Sequence, residues 1–355
     1  MKHGFIMHEP ENKFGYFGWP SITRLESGRL VVVASGYRFK HLCPFGKIVM
    51  SYSDDDGLSW SKPKIIYNSP LDDRDAGIVS KGSQVLITTF NNSKAVQYDA
   101  SFRYEKEEDR KIMDSKTDTI SDAEEAFYLG SWILVSNDEG ATISHSYKVP
   151  ITSPHGPILL KNGNYFYVGR SFKSEIHNEN QLEEGIYFME SSDGINWTKP
   201  LKINTNIENY YFYEPHAIEV ENGKVLISIR VQKKDTDLFT IYQTYIKDSK
   251  QLSKLEDTNI EGSPPHLMKH SNGNILLSYG RRKHPFGIRV SESADAGKTY
   301  LNNYILRDDG VDWDLGYPAT IERNDGSLLT VYYLREIGEK LPSISYTIWN
   351  LKEGI

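Results

Sequence analysis

Side chains that can move protons or hold anions recur at matching places along this chain of 355 residues. Short apolar runs that read as strands begin beside Trp19, the run Asp72-Asp73-Arg74-Asp75-Ala76-Gly77, His155, Glu214 with His216, His266, and Asp314 with Tyr317. The runs that follow end beside Arg38, Lys40 and His41, beside Asn91 and Asn92, and beside Arg170, Arg230, Arg281 with Arg282 and His284, and Arg335. A guanidinium binds a carboxylate through paired hydrogen bonds, and a carboxylate beside a phenol can take its proton and make it a nucleophile. An acidic chain, net charge −7, that gathers arginines and histidines around a few carboxylates reads as holding a pocket for an anionic, hydroxyl-rich ligand.

Each of these residues also has a plainer use. A lone arginine at a strand end serves most often in a surface or inter-strand ion pair. His155, His216 and His266 all stand beside prolines and could line a channel while bonding backbone. No pair of them has metal-ligand spacing, so neither a metal nor another cofactor is expected. The three acids around Arg74 are unusually dense for the start of a strand, which favours a functional role there.

The elements that must position these groups are legible from two turn patterns. Ser53–Trp60 (SDDDGLSW) has the form Ser-x-Asp-x-Gly-x-x-Trp, and Ser136–Ile143, Ser191–Trp197 and Ser293–Tyr300 are variants of it. The Asp can accept from backbone amides, the Gly supplies positive φ and the aromatic folds back, so Asp55, Asp138, Asp193 and Asp295 belong to turn architecture. The second pattern is a weak apolar strand, a turn at glycine and a stronger apolar strand. It occurs six times, with turn glycines Gly28, Gly82, Gly163, Gly223, Gly273 and Gly326. Each instance is followed by a further apolar pair, giving four strands per unit and six units. The expected fold is all-β, a six-bladed β-propeller occupying residues 1–355 as one domain. After TVYYLR (Thr330–Arg335) only one good strand remains, so Gly4–Glu9 is expected to pair into the sixth blade and close the ring. Loops in such a blade alternate sides. The two turn types therefore share one face, and the candidate chemistry lies on the other. One spacing is long because of a highly charged insertion at about 99–128, expected to be a solvated, partly helical excursion or else a lid or oligomer contact.

The negative charge argues against nucleic acid, and no run is apolar enough to cross a membrane. Cys43 is the only cysteine, so no intramolecular disulfide can form. The start, MKHGFIMHEPENK, lacks an apolar stretch of signal-peptide length, and a cytoplasmic protein is expected unless a leader precedes it.

The Asp turns, the six hairpins and two longer segments together resemble the sialidase superfamily of glycoside hydrolases. EPHAIEVENGKVLISIR (Glu214–Arg230) is similar to the family's glutamate segment, and GYPATIERNDGSLLTVYY, from Gly316, to its tyrosine segment. The resemblance implies Tyr317 as nucleophile, Glu214 as the carboxylate that takes its proton, and Arg230 as one arm of a carboxylate-binding arginine triad. GRRKHPFGIRVSES, from Gly280, resembles the region that supplies another arm, with Arg282 or Arg281 the candidate. Two positions depart from the family. Its first blade opens Phe-Arg-Ile-Pro, where this chain has Phe17-Gly18-Trp19-Pro20. Its acid/base Asp lies in the loop after the first blade's second strand, which here is Tyr37–Pro44 and holds no carboxylate. The proton donor is therefore expected from Asp75 or Asp73, with His41 the second choice. Arg38, Arg74, His155, His216 and His266 are expected among the groups that bind substrate, and Trp19 as an aromatic wall stacking on a sugar.

These residues favour an exo-acting glycoside hydrolase that removes a terminal acidic or modified sugar from a glycan, with weak action on simple sialosides. A polysaccharide lyase using His41 or a pocket histidine as base and Tyr317 as acid, or a glycan-binding propeller without catalysis, would use the same pocket.

Overall fold

The computed structural model of the chain describes residues 1–172 and 182–351. Six antiparallel sheets follow one another around an axis, as the glycine-turn spacing requires. From the axis outward, blade one is Tyr16–Arg24, Leu30–Arg38, Lys47–Ser53 and Lys64–Tyr67, and blade two is Asp72–Lys81, Gln84–Asn92, Ser131–Ser136 and His145–Val149. Blade three is Ile158–Leu159, Tyr165–Ser171, Gly185–Ser191 and Leu201–Lys202. Blade four is Tyr210–Glu221, Lys224–Lys233 and Phe239–Lys247, with an outer strand split into Lys250–Gln251 and Glu256–Glu261. Blade five is His266–Lys269, Ile275–Arg281, Gly287–Ser293 and Asn302–Arg307. Blade six is Gly316–Glu322, Leu328–Leu334 and Ser343–Trp349, and its outermost strand is the N-terminal Lys2–Met7.

The turn chemistry is as the sequence dictates. All six hairpin glycines have positive φ, from 57° at Gly82 to 95° at Gly273. In the first Asp turn the Asp55 carboxylate accepts from the Ser59 amide at 2.8 Å, and the Ser53 hydroxyl accepts from the Gly57 amide at 2.8 Å. The other three turns repeat this arrangement. Their glycines also abut the preceding blade: a Cβ would stand 2.8 Å from Leu329 at Gly57, 3.2 Å from Met50 at Gly140, 2.8 Å from Leu86 at Gly194 and 2.3 Å from Leu226 at Gly297. Any larger residue would crowd these side-chain ends and would be strained besides, since all four glycines have positive φ.

The core is divided among the seams. Six apolar clusters each join two adjacent blades, for example Val33, Met50, Ile78 and Ile87 between blades one and two, and Leu226, Ile241, Leu277 and Tyr279 between four and five. The seam between blades six and one carries Phe17, Trp19, Val32, Leu329 and Tyr333 together with Ile6 and Met7 of the N-terminal strand. That strand pairs with Ser343–Trp349 in register Lys2↔Ile348 to Phe5↔Ser345. Deleting residues 1–10 should cost about 3–6 kcal/mol from Ile6 and Met7 alone. A fall in melting temperature of at least about 4 °C is expected in calorimetry, and an unchanged transition would show that the closure carries no stability.

The charged insertion begins earlier than its composition suggests. Helices span Lys94–Ser101, capped by Ser93, Glu107–Thr117, and Asp122–Tyr128, which carries a capping box from Ser121 and Glu124. It docks on the loop after the first blade's second strand. Met113 packs with Phe39 and Cys43, the Tyr104 hydroxyl donates to the Leu42 carbonyl at 2.9 Å, and Lys40 pairs with Asp109 at 2.9 Å. The insertion therefore braces the loop that holds His41.

Candidate active site

One backbone device recurs where the inner strands begin. The pairing register breaks between Gly18 and Ser21, Arg74 and Gly77, Tyr213 and His216, and Gly316 and Ala319. At each break one residue takes a left-handed conformation: Trp19 at φ 56°, Asp75 at 44°, Glu214 at 43° and Tyr317 at 49°. Gly156 holds the equivalent place in blade three at φ 74°. A non-glycine residue pays roughly 1–3 kcal/mol for this conformation, and such strain clusters at functional sites. Here it takes four side chains out of the ordinary strand alternation.

The Tyr317 hydroxyl donates to Glu214 Oε1 at 2.5 Å, and Arg230 Nη1 donates to Glu214 Oε2 at 2.6 Å. The same Arg230 nitrogen reaches the Tyr317 oxygen at 3.5 Å, and the Arg282 guanidinium lies 5.6 Å from the centre of the Tyr317 ring. Burial pushes the Glu214 carboxyl up, but Arg230, the Tyr317 hydroxyl and Arg282 together hold it below the ordinary glutamate value. Burial, then the Glu214 and Asp75 carboxyls, push the Tyr317 phenol well above its usual value. The resting pair is thus an ionised glutamate against a protonated tyrosine, with the proton to be moved lying on a short hydrogen bond.

Asp75 is the other buried acid of this group. Burial raises it to about 7, the Glu214 charge adds to that, and Arg74 opposes it. Its Oδ1 is buried with no protein partner among the described residues. A carboxyl that stays protonated near neutral pH beside an ionised one is suited to general acid work.

The neighbouring acids are committed elsewhere. Asp73, which burial also raises to about 7, accepts from the Ser69 amide and hydroxyl, both at 2.7 Å, and so fixes the loop before the strand. Asp72 is fully buried in an ion pair with Arg38 at 2.6 Å, with Arg74 at 3.5 Å. Arg38 has no exposed surface. It is the inter-blade ion pair of the plainer reading, not a ligand clamp, and Arg74 is largely held by Asp72 and the His41 carbonyl. Trp19 likewise departs from the expected stacking wall: it is 1% exposed, with the Arg74 and Arg38 guanidinium groups 4.1 and 4.8 Å from its ring centre. The charges that neutralise Asp72 cover the ring that a sugar would have touched.

Only some arginines at the strand ends converge. Arg230 and Arg282 stand at the Tyr317–Glu214 pair. Arg281, one residue earlier, contacts the His284 carbonyl and adds to the charge around Arg289. Arg170 pairs with Glu184, and Arg335 with Asp312. Arg230→Lys should keep the fold but lower kcat/KM by about 10–100-fold, since an ammonium cannot bridge Glu214 and a ligand as the planar fork can. Unchanged kinetics in the lysine variant would make Arg230 purely structural.

A second network lies across the site. Asp314 accepts from His41 Nδ1 at 2.8 Å, the Tyr333 hydroxyl at 2.9 Å and the Tyr16 hydroxyl at 3.0 Å. Burial lowers His41 although Asp314 opposes this, so its ring is neutral with Nδ1–H toward Asp314, and Nε2 has no protein partner among the described residues. Trp313 beside it is 54% exposed, its ring 5.6 Å from His41. Sequence reasoning placed Asp314 near Tyr317 but missed Tyr16, Tyr333 and Trp313, because these contacts join residues up to 298 positions apart. His155, His216 and His266 face one another on the axis instead of Glu214 and Tyr317.

No family model matches the chain, and a search of the curated proteins found no match. Solved structures do match. A Dyadobacter fermentans protein of unknown function superposes with TM-score 0.75 at 19% identity, covering 99% of this chain and 98% of that one. The intramolecular trans-sialidase of Ruminococcus gnavus gives 0.68 at 15% identity, covering 98% and 97%. The α-L-arabinanase of Penicillium chrysogenum gives 0.64 at 13% identity, covering 100% and 99%. At these identities the likeness establishes the fold, a six-bladed propeller of the kind found in sialidases and an arabinanase.

Proposed function

We propose that the protein is an exo-acting, sialidase-like glycoside hydrolase that removes a terminal acidic or modified sugar from a glycan. The observation that carries this reading is the Tyr317 hydroxyl 2.5 Å from the Glu214 carboxylate, with Arg230 holding the other oxygen. The Tyr317 oxygen attacks the anomeric carbon as its proton passes to Glu214, and the glycosidic C–O bond breaks while Asp75 protonates the departing oxygen. Water then attacks the tyrosyl glycoside, Asp75 takes its proton, and Tyr317 leaves with the proton returned by Glu214. Two displacements retain the anomeric configuration. Arg230 and Arg282 suit one anionic group on the sugar, with fewer cations than a full triad, and this supports a sugar other than a simple sialoside.

A panel of aryl glycosides of acidic sugars tests this, with release of the aryl alcohol as the signal and product configuration read by NMR. No release across the panel, or inversion, would reject it. One observation favours a lyase as the second reading: the neutral His41, oriented by Asp314, is placed as a base. An unsaturated product absorbing in the ultraviolet from a uronate polymer would mark that outcome.

A further inference from the structure

Beside the Tyr317–Glu214 pair stands one indole that the hydrolytic chemistry does not use. Trp313 is 54% exposed and lies on the loop leading into the strand Gly316–Glu322, which carries Tyr317. Its backbone is pinned on both sides. Asp312 pairs with Arg335 and accepts from the Asp314 amide at 3.0 Å. The Leu315 amide donates to the Trp313 carbonyl at 3.0 Å, and the Leu315 side chain is buried. Single apolar residues on a surface are ordinary, but this one stands beside a polar group with bonding capacity to spare.

That group is His41, whose ring centre is 5.6 Å from that of Trp313. Burial opposes charge on Asp314, but His41, Tyr333 and Tyr16 together hold its carboxyl below the ordinary aspartate value. An ionised carboxylate only accepts, so the bond from His41 Nδ1 at 2.8 Å fixes the hydrogen there and leaves the lone pair on Nε2. Nε2 has no protein partner among the described residues, and 29% of the His41 side chain is open. The pair thus offers an apolar ring and, next to it, a neutral hydrogen-bond acceptor. A pyranose has the complementary form, a patch of ring C–H groups edged by hydroxyls. Trp19 cannot stack on such a ring, since Arg74 and Arg38 cover it.

The position relative to the reacting groups decides which sugar this is. Arg230 and Arg282, suited to the anionic group of the terminal sugar, come from blades four and five. His41 and Trp313 come from the loops of blades one and six, and Arg74, the residue before Asp75, donates to the His41 carbonyl at 2.7 Å. We propose that Trp313 and His41 form the subsite for the sugar that departs, a pyranose whose C–H face stacks on the indole while one hydroxyl donates to Nε2. Asp314 is the positioning residue that sets the His41 tautomer. The departing role rests on the hydrolase reading given above; the binding of a pyranose does not.

The test is saturation-transfer NMR of the full chain at pH 7.5 with methyl β-galactoside, methyl β-glucoside, sorbitol and tetrahydropyran. At least one pyranoside should bind with a dissociation constant of about 1–10 mM. Sorbitol, which has hydroxyls and no ring face, and tetrahydropyran, which has a ring and no hydroxyl, should each bind at least about tenfold more weakly. Trp313→Ala should abolish the pyranoside signal, and His41→Ala should weaken it about tenfold. Nitrogen NMR of the imidazole should show His41 with hydrogen on Nδ1, and Asp314→Asn should let the Nε2–H form appear and weaken the sugar several-fold. Should a variant not fold, the probe ranking and the tautomer of the unmodified chain decide. Absence of pyranoside binding, sorbitol or tetrahydropyran binding as well as the sugars, an unchanged signal in folded Trp313→Ala, or hydrogen on Nε2 in the unmodified chain would overturn the proposal. Unchanged tautomer and affinity in folded Asp314→Asn would overturn the positioning role. All of these are read without turnover, so a failure here is distinct from a failure to release aryl alcohol.

Discussion

Replacing Tyr317 by phenylalanine should lower turnover by about three to five orders of magnitude while leaving substrate affinity within a few-fold. The hydroxyl is the only atom removed, and it is the atom that bonds Glu214. Because the phenol is held well above its ordinary value and the carboxylate below its own, the resting pair stays Tyr–OH and Glu–COO⁻. Proton transfer must therefore accompany formation of the bond to carbon, and phenylalanine can supply neither the oxygen nor the proton. Glu214 keeps Arg230 in the variant, so no buried carboxylate is left unpaired and the melting temperature should move little. Single-turnover rates and equilibrium binding on the same sugar check both parts. Residual turnover within tenfold of the original would remove Tyr317 from the chemistry.

The six-fold plan was legible because each turn depends on local residues. A glycine at positive φ and an aspartate two to four residues before the amides it caps leave a fixed spacing wherever they recur. The placement of acids was not. Asp73 and Asp75 differ by two, and ordinary strand alternation would set both on one face. The register break between Arg74 and Gly77 intervenes, sending Asp73 to Ser69 and Asp75 toward Glu214. A sequence signal for that break does exist. The left-handed residue precedes proline in Trp19-Pro20, Gly156-Pro157, Glu214-Pro215 and Tyr317-Pro318, and lining up Asp75-Ala76 with these would have singled out Asp75. Arginines at equivalent strand ends gave no such guidance, since their roles are set by partners distant in sequence: Asp72 for Arg38, Glu214 for Arg230, Asp312 for Arg335. The Asp314 network was hidden for the same reason.

Asp75→Asn should separate activity from stability with opposite signs. For activity, Asp75 has to be protonated and Glu214 ionised, so kcat/KM should be flat from near pH 5 and fall as pH rises through about 7. Asparagine cannot donate the proton. Glycosides with alkyl or sugar leaving groups should lose about 10²–10⁴ in rate, and aryl glycosides, whose leaving groups need less help, much less. For stability, the folded value of about 7 lies above the 3.8 of an ordinary aspartate, so the native state holds a proton that the unfolded chain has released. The stability linked to that proton is fully present below about pH 4, where both states are protonated, and is lost as pH rises to about 7. Between 4 and 7 the native protein loses up to about 1.4 kcal/mol per unit, and above 7 the burial penalty is complete at roughly 4 kcal/mol as an upper bound. The asparagine variant carries no such penalty. Its gain in stability over the unmodified protein should grow from pH 4 to 7 and stay constant above, measured by urea unfolding across that range. A variant that loses activity equally on aryl and alkyl glycosides, or whose stability difference does not change with pH, would show that Asp75 is neither the donor nor a buried neutral acid.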